Sequence, residues 1–274
     1  MCKLQRSWQR ILPVLVILLC CGGAWCADDT PALTKEQIKQ FLRTAKVINV
    51  HSSKKGITNT QRLTLSDGTI THDASFQSID EHHPVKQLAD GQSEIRFVDS
   101  YKYNIAAYQL AELVGFDDMM PVYVERKYSG QLGSLSWWLT VKFDEADRLK
   151  QKIEPPDQEA WNQQMYKIRV FDELVYDNDP NLTNVLISPD WKIYRIDFTR
   201  SFRTHTSLKD PKNLVRCERQ MLARLRALNV DEFSARTKGY LTKDEVKAVM
   251  ARRDIIVSFF DKEVAAKGEA AVLF

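Results

Sequence analysis

The chain has 274 residues, with 39 Lys and Arg against 36 Asp and Glu, a formal charge of +3 and a pI near 8.5. Lys3, Arg6 and Arg10 carry that excess, so residues 27–274 balance at 36 against 36 and the pI is no argument for nucleic-acid binding. Cys2, Cys20, Cys21 and Cys26 all precede residue 27, which leaves Cys217 alone and excludes an internal disulfide in the remainder.

Residues 1–26 read as a cleaved secretory signal: three basic residues, an apolar run from Ile11 to Cys21, then Gly22-Gly-Ala-Trp-Cys26 with cleavage before Ala27. The apolar run falls short of the roughly 20 residues of a membrane span. The expectation is therefore an exported protein, periplasmic or secreted, with no stable span after cleavage; an anchor formed by an uncleaved signal is the alternative. The 248 residues that remain suffice for one large or two small lobes.

Thr34-Lys-Glu-Gln37 is a capping-box pattern that opens a helix to about Ala45, and Val47 to Val50 follows as a β-like run. Leu63 to Ser66 and Thr69 to Ser78 flank Asp67-Gly68, a turn dipeptide suited to a hairpin. His82 to Gly91 is polar, without periodicity, and reads as loop. Ser100 to Gly115 is helical by its apolar spacing, with Gly115 as a stop signal. Pro121 to Tyr128 and Leu132 to Val141 form a second hairpin around Ser129-Gly130-Gln131, ending in Trp137-Trp138.

Pro155-Pro156 breaks the chain, and β-rich sequence gives way to helix-rich sequence between residues 142 and 156. The predicted division is a signal over 1–26, a β-rich lobe over 27–150 and a mainly helical lobe over 151–274. Asp157 to Val175 carries Trp161, Met165, Ile168, Phe171 and Val175 at spacings of three and four, an amphipathic helix. Leu214 to Leu228 reads as helix, and Thr242-Lys-Asp-Glu245 is a second capping box that opens a helix to about Ala266.

Between these helices lies the stretch that carries chemistry. Asp179 and Asn184 stand five apart on a loop, and Asp197 follows at the end of an apolar strand after a tight hairpin. One carboxylate to accept a hydroxyl proton, with an amide and a second carboxylate to hold magnesium against phosphate oxygens, is the layout of a phosphoryl-transfer site. Asp177-Asn-Asp179-Pro-Asn181 is also compatible with an ordinary surface turn. An EF-hand is excluded by Leu182 where Gly is required and by Ser188 where a bidentate Glu belongs. The five histidines have no metal-ligand spacing, and Cys217 reads as a buried helix residue rather than a nucleophile.

The order hairpin, helix, hairpin, helix, acidic loop, hairpin, Asp-Phe, helices resembles the two-lobed protein-kinase-like superfamily, and looks most like its phosphoinositide-kinase and HipA-type branches. Asp179-Pro-Asn-Leu-Thr-Asn184 and Ile196-Asp197-Phe198 carry the resemblance. It implies an α+β two-lobed kinase-like fold with a small β-rich N-lobe and a larger helical C-lobe. It further implies Asp179 as proton acceptor, Asn184 and Asp197 as ligands to Mg or Mn, Trp138-Leu139 as the hinge beside the adenine of ATP, and an unidentified acceptor as second partner. Kinase-like folds place a Lys on the third strand and a Glu on the following helix. Here Gln77 and Asn104 stand at those positions, so both members of the phosphate-gripping pair are replaced by amides, with Lys102, Arg126 and Lys127 as candidate substitute cations. Two alternatives accompany this expectation: a catalytically inactive kinase-like scaffold that binds a ligand or partner, and a metal-dependent phosphohydrolase that uses Asp177, Asp179 and Asp197.

Overall fold

The structure, a computed structural model, describes residues 33–52, 60–88, 91–179 and 181–274; the expected signal segment and Pro180 lie outside the described residues. Thr34–Phe274 forms one compact unit. It opens with helix α1 (Lys35–Thr44), whose capping box is complete: the Thr34 hydroxyl accepts from Gln37 N, and the Gln37 side chain accepts from Thr34 N.

Strands β1 (Lys46–Ser52), β2 (Gln61–Ser66) and β3 (Thr71–Gln77) then join β6 (Tyr123–Tyr128) and β7 (Gln131–Trp137) in an antiparallel sheet of order β1-β2-β3-β7-β6. Alternation buries Leu63, Leu65, Ala74, Phe76 and Leu135 together, so these strands close one face onto a common core. Helix α2 (Tyr101–Val114) belongs to the same core, and Gly115 ends it in the left-handed conformation with φ 76°.

The polar stretch after residue 80 is not the loop its composition predicts. β4 (Asp80–Gln87) and β5 (Ser93–Ser100) pair along their whole length as a two-stranded ribbon. Periodicity fails to reveal it because β4 is exposed along most of its length and β5 buries only its last part, at Phe97, Asp99 and Ser100.

The second half is mainly helical. β8 (Phe143–Asp144) and helix α3 (Glu145–Gln151) precede α4 (Gln158–Val175), which Asp157 caps through Ala160 N. β9 (Val185–Ile187) and β10 (Ile193–Arg195) form the expected hairpin and, with β8, a small sheet of order β10-β9-β8. α5 (Arg219–Ala227), α6 (Val230–Arg236), α7 (Lys243–Lys267) and the short α8 (Glu269–Val272) complete the chain. α7 begins on the expected Thr242–Glu245 capping box. The helix expected from Leu214 starts only at Arg219, because Cys217 is drawn into a bridge with Leu273 that pairs this segment with the C-terminus. Cys217 is accordingly buried but not helical, and burial pushes its thiol up to about 12. No helix among the described residues is long and apolar enough to cross a membrane.

Candidate functional site

The site begins with the placement of Phe198. Its ring meets Phe171 of α4 edge-on at 5.5 Å, and Phe171 stacks on Phe116 at 4.3 Å; all three are fully buried. This aromatic column fixes the chain just after β10. Asp197 is left in the left-handed region at φ 61°, a conformation Asp tolerates better than most residues. The Phe198 N–H is taken by Asn104 Oδ1 of α2 at 2.7 Å, so a buried side chain of the first half holds the backbone on which Asp197 sits.

Asn104 also donates from Nδ2 to Gln77 Oε1 at 2.8 Å and to Ser134 Oγ at 3.4 Å. Gln77 and Asn104, the two amides expected where a kinase would carry Lys and Glu, are a hydrogen-bonded neutral pair, both buried. A neutral pair avoids the several kcal/mol that desolvation imposes on a buried ion pair. The pair depends on a close approach: a Cβ added at Gly133 of β7 would lie 2.6 Å from the Gln77 carbonyl oxygen and 2.7 Å from the Phe76 ring.

A cleft of about 170 Å³ opens beside this pair. Its walls are the Trp137-Trp138-Leu139 segment at the end of β7, Ser75 and Gln77 of β3, Tyr123 and Ser136, Leu186 of β9, and Ile196 and Asp197 just after β10. The described lining is predominantly apolar, with Asp197 its one acidic group. The Trp138 N–H is committed to the Asp73 carbonyl at 3.1 Å, and the Arg62 guanidinium covers the Trp138 ring at 4.4 Å. Burial pushes the Asp197 carboxyl above its ordinary range; the Thr199 hydroxyl, donating at 3.0 Å, offsets part of this, and nearby Asp99 adds to it.

The acidic loop is held from beneath. Arg195 is fully buried, pairs with Asp177 and lies 3.3 Å from Asp172, while its guanidinium sits 5.0 Å from the Phe198 ring. Asp177 in turn accepts from Asp179 N at 3.2 Å and from Ser201 Oγ at 3.3 Å, so its carboxylate is a buried brace rather than a group open to the cleft. The Asn184 carbonyl accepts from Ile196 N at 3.0 Å, which brings Asn184 beside Asp197. Asp179 is half-buried between these anchors. Among the described residues no group of three or more His, Cys, Asp or Glu is placed to hold a metal ion; the oxygen donors Asp197 and Asn184 are of the kind that Mg²⁺ or Mn²⁺ takes.

Two of the three candidate cations are engaged elsewhere. Lys102 bonds Asp80 at 2.8 Å, and Arg126 donates to the Leu42 and Ala45 carbonyls at the end of α1, both at 2.7 Å. Lys127 is exposed on β6.

One residue escaped the sequence reading altogether. Glu94, in β5 just past the expected loop, accepts from Asn178 Nδ2 at 3.0 Å and pairs with both Arg200 and Arg203. It ties the ribbon to the acidic loop on one side and to the segment after Phe198 on the other. A single Glu among polar neighbours gives no sequence signal; only the register of β4 against β5 places it there.

A β-sheet half, a helical half, and a cleft walled by the end of β7 and the Asp-Phe turn after β10 give a kinase-like fold. No protein-family model matches the chain, and no curated sequence does. Solved structures carry the comparison: a hydra Fam20 determined with sugar aligns at a TM-score of 0.62 and 16% identity over 87% of this chain and 91% of that one. The Golgi casein kinase aligns at 0.60 and 12% identity over 87% and 78%, and its form with Mn/ADP bound at 0.61.

Proposed function

We propose that this chain is an atypical kinase-like phosphotransferase that moves a phosphoryl group from a Mg- or Mn-bound nucleotide, ATP in the first instance, to a hydroxyl of an unidentified acceptor. The observation that carries this is the buried link from Gln77 through Asn104 to the Phe198 N–H, which sets Asp197 at the cleft in a left-handed turn. Asn184 and Asp197 would hold the cation, which supplies charge neutralisation at the phosphates when bound. Asp179 takes the proton of the acceptor hydroxyl. Its backbone is preset for this by Asp177, itself neutralised by Arg195. Trp138 and Leu139 form the apolar wall against which a base packs, and the lobes meet near residue 150. The Golgi casein kinase structure with Mn/ADP supports nucleotide and divalent metal as ligands of this fold. The residue 1–26 pattern supports export.

The neutral Gln77–Asn104 pair favours a second function, a kinase-like scaffold that binds a ligand without turnover. The phosphohydrolase is disfavoured because Asp177 is consumed by Arg195 and Ser201. Incubation of residues 27–274 with γ-labelled ATP and Mn²⁺, followed by intact mass and label incorporation into chain and added acceptors, separates the two. Transfer lost in Asp179→Ala supports the phosphotransferase; nucleotide binding without any transfer supports the scaffold.

A further inference from the structure

We propose that the Tyr123 hydroxyl is a phosphate-binding group of this cleft, donating its proton to an anionic oxygen of the nucleotide. The inference deepens the phosphotransferase reading, on which it rests, by naming a neutral donor on β6 in a cleft that lacks the lysine of kinase-like folds.

The sheet wall of the cleft is a row of uncharged polar groups. Register sets Ser75 of β3 opposite Ser136 of β7, and Ser136 opposite Tyr123 of β6, so three hydroxyls cross the sheet in line. Gln77 and Ser134 are a parallel pair on β3 and β7. All five line the cleft; none of the described lining residues is Lys or Arg, and Asp197 adds a carboxylate. An anionic ligand beside that carboxylate therefore depends on hydrogen-bond donors of the wall or on a bound cation. Ser134 Oγ already donates to the Gln77 carbonyl at 3.5 Å, and Gln77 Oε1 accepts from Asn104.

Tyr123 is the donor placed for this role. It is 6% exposed, and its ring is held against Tyr108 of α2, the centroids 6.3 Å apart. Its oxygen accepts from the Asp197 backbone N–H and lies beside the Ser136 hydroxyl. An amide N–H can only donate, so the phenol proton points away from it, to Ser136 or into the cleft. Ser136 can itself donate to the phenol oxygen, which leaves the phenol proton for a ligand. Burial, with the Asp197 carboxylate adding to it, pushes the phenol above its ordinary value, so it keeps that proton. Arg195, the cation that faces it, is paired with Asp177. A hydrogen bond to an ionised oxygen is roughly twice as strong as one between neutral groups, so a phosphate oxygen outcompetes Ser136 for the phenol proton.

The test is calorimetric titration of residues 27–274 as wild type, Tyr123→Phe and Ser136→Ala, with ATP plus Mn²⁺ and with adenosine, beside electron paramagnetic resonance of free Mn²⁺ without nucleotide. Tyr123→Phe keeps the ring and removes the donor. It should weaken ATP binding by about tenfold or more while adenosine stays within about twofold and Mn²⁺ binding is that of wild type. Ser136→Ala should lose less ATP affinity than Tyr123→Phe. Equal losses for ATP and adenosine would make the ring a wall for the base and overturn the proposal. So would an ATP loss matched by a loss of Mn²⁺ affinity, which assigns the effect to Asp197, or a larger ATP loss in Ser136→Ala than in Tyr123→Phe. ATP binding that is equal in wild type and Tyr123→Phe sinks Tyr123 alone, whereas wild type that binds no nucleotide sinks the phosphotransferase and this proposal with it.

Discussion

Asn104→Leu tests the amide pair at its centre. The substitution keeps roughly the side-chain volume and removes both hydrogen-bonding ends. Phe198 N–H then loses a 2.7 Å acceptor in a fully buried position, and Gln77 Oε1 loses a 2.8 Å donor. The buried Phe198 N–H stripped of its acceptor costs about 1–3 kcal/mol, and the lost bond to Gln77 adds about 0.5–1.5 kcal/mol, so the substitution predicts a loss of about 2–4 kcal/mol. For a domain of this size that is a fall in Tm of about 5–15 °C. Gln77→Met should cost less, about 1–2 kcal/mol, because Asn104 keeps its bond to Phe198 and its longer contact to Ser134 at 3.4 Å. The assay is urea unfolding monitored by tryptophan fluorescence, with both single variants and the double. The double should be milder than the sum of the singles, since the shared bond can be lost only once. A loss below about 1 kcal/mol for Asn104→Leu, or Gln77→Met more damaging than Asn104→Leu, would refute the claim that Asn104 holds the Asp-Phe turn.

Other outcomes follow from the same contacts. Gly133→Ala drives a methyl to 2.6 Å from the Gln77 carbonyl, so it should displace Gln77 and lower both stability, by about 1–3 kcal/mol, and nucleotide affinity; an unchanged melting curve contradicts the close approach. Glu94→Gln should loosen the ribbon from the segment carrying Arg200 and Arg203, seen as faster amide hydrogen exchange in β5 and around residues 178 and 200, whereas exchange confined to residue 94 would show the ties to be passive. Burial pushes the Asp172 carboxyl up to about 7, above its unfolded value near 3.8, despite the nearby Arg195. A carboxyl raised on folding favours the native state when protonated, so its contribution is full below about pH 4 and is lost as the pH rises through about 7. Asp172→Asn should flatten that slope in Tm against pH, and an undiminished slope would assign it to other groups.

The legibility of this molecule in its sequence followed the strength of local signals. Capping boxes at Thr34 and Thr242, the Asp67-Gly68 turn and the α4 stripe all mark elements found within a few residues of their expected ends, because each is a short-range interaction written in adjacent residues. The positions of Gln77 on β3 and Asn104 on α2 were legible too, since the hairpin and the helix fix them. The ribbon was not, because β4 is mostly exposed and β5 buries only its last residues, so neither strand carries a full period-2 stripe; with it went Glu94, whose ties arise from cross-strand register and from contacts to residues about a hundred positions away. The late start of α5 was hidden for a related reason: the Cys217–Leu273 bridge is a nonlocal pairing that overrides a helix-compatible pattern. Lys102 and Arg126, two of the candidate substitute cations, have partners, Asp80 and two helix-end carbonyls, that no spacing rule connects to them.

The central claim is that the cleft beside Asp197 takes a metal-bound nucleotide. Its most direct test is a thermal-shift titration of residues 27–274 with ATP and other nucleotides, with and without Mg²⁺ or Mn²⁺, beside Asp197→Ala. A ligand that binds the folded state alone raises Tm with its concentration. The account predicts a nucleotide shift that requires the metal and disappears in Asp197→Ala; no shift with any nucleotide at millimolar concentration, or one that Asp197→Ala leaves intact, would contradict it.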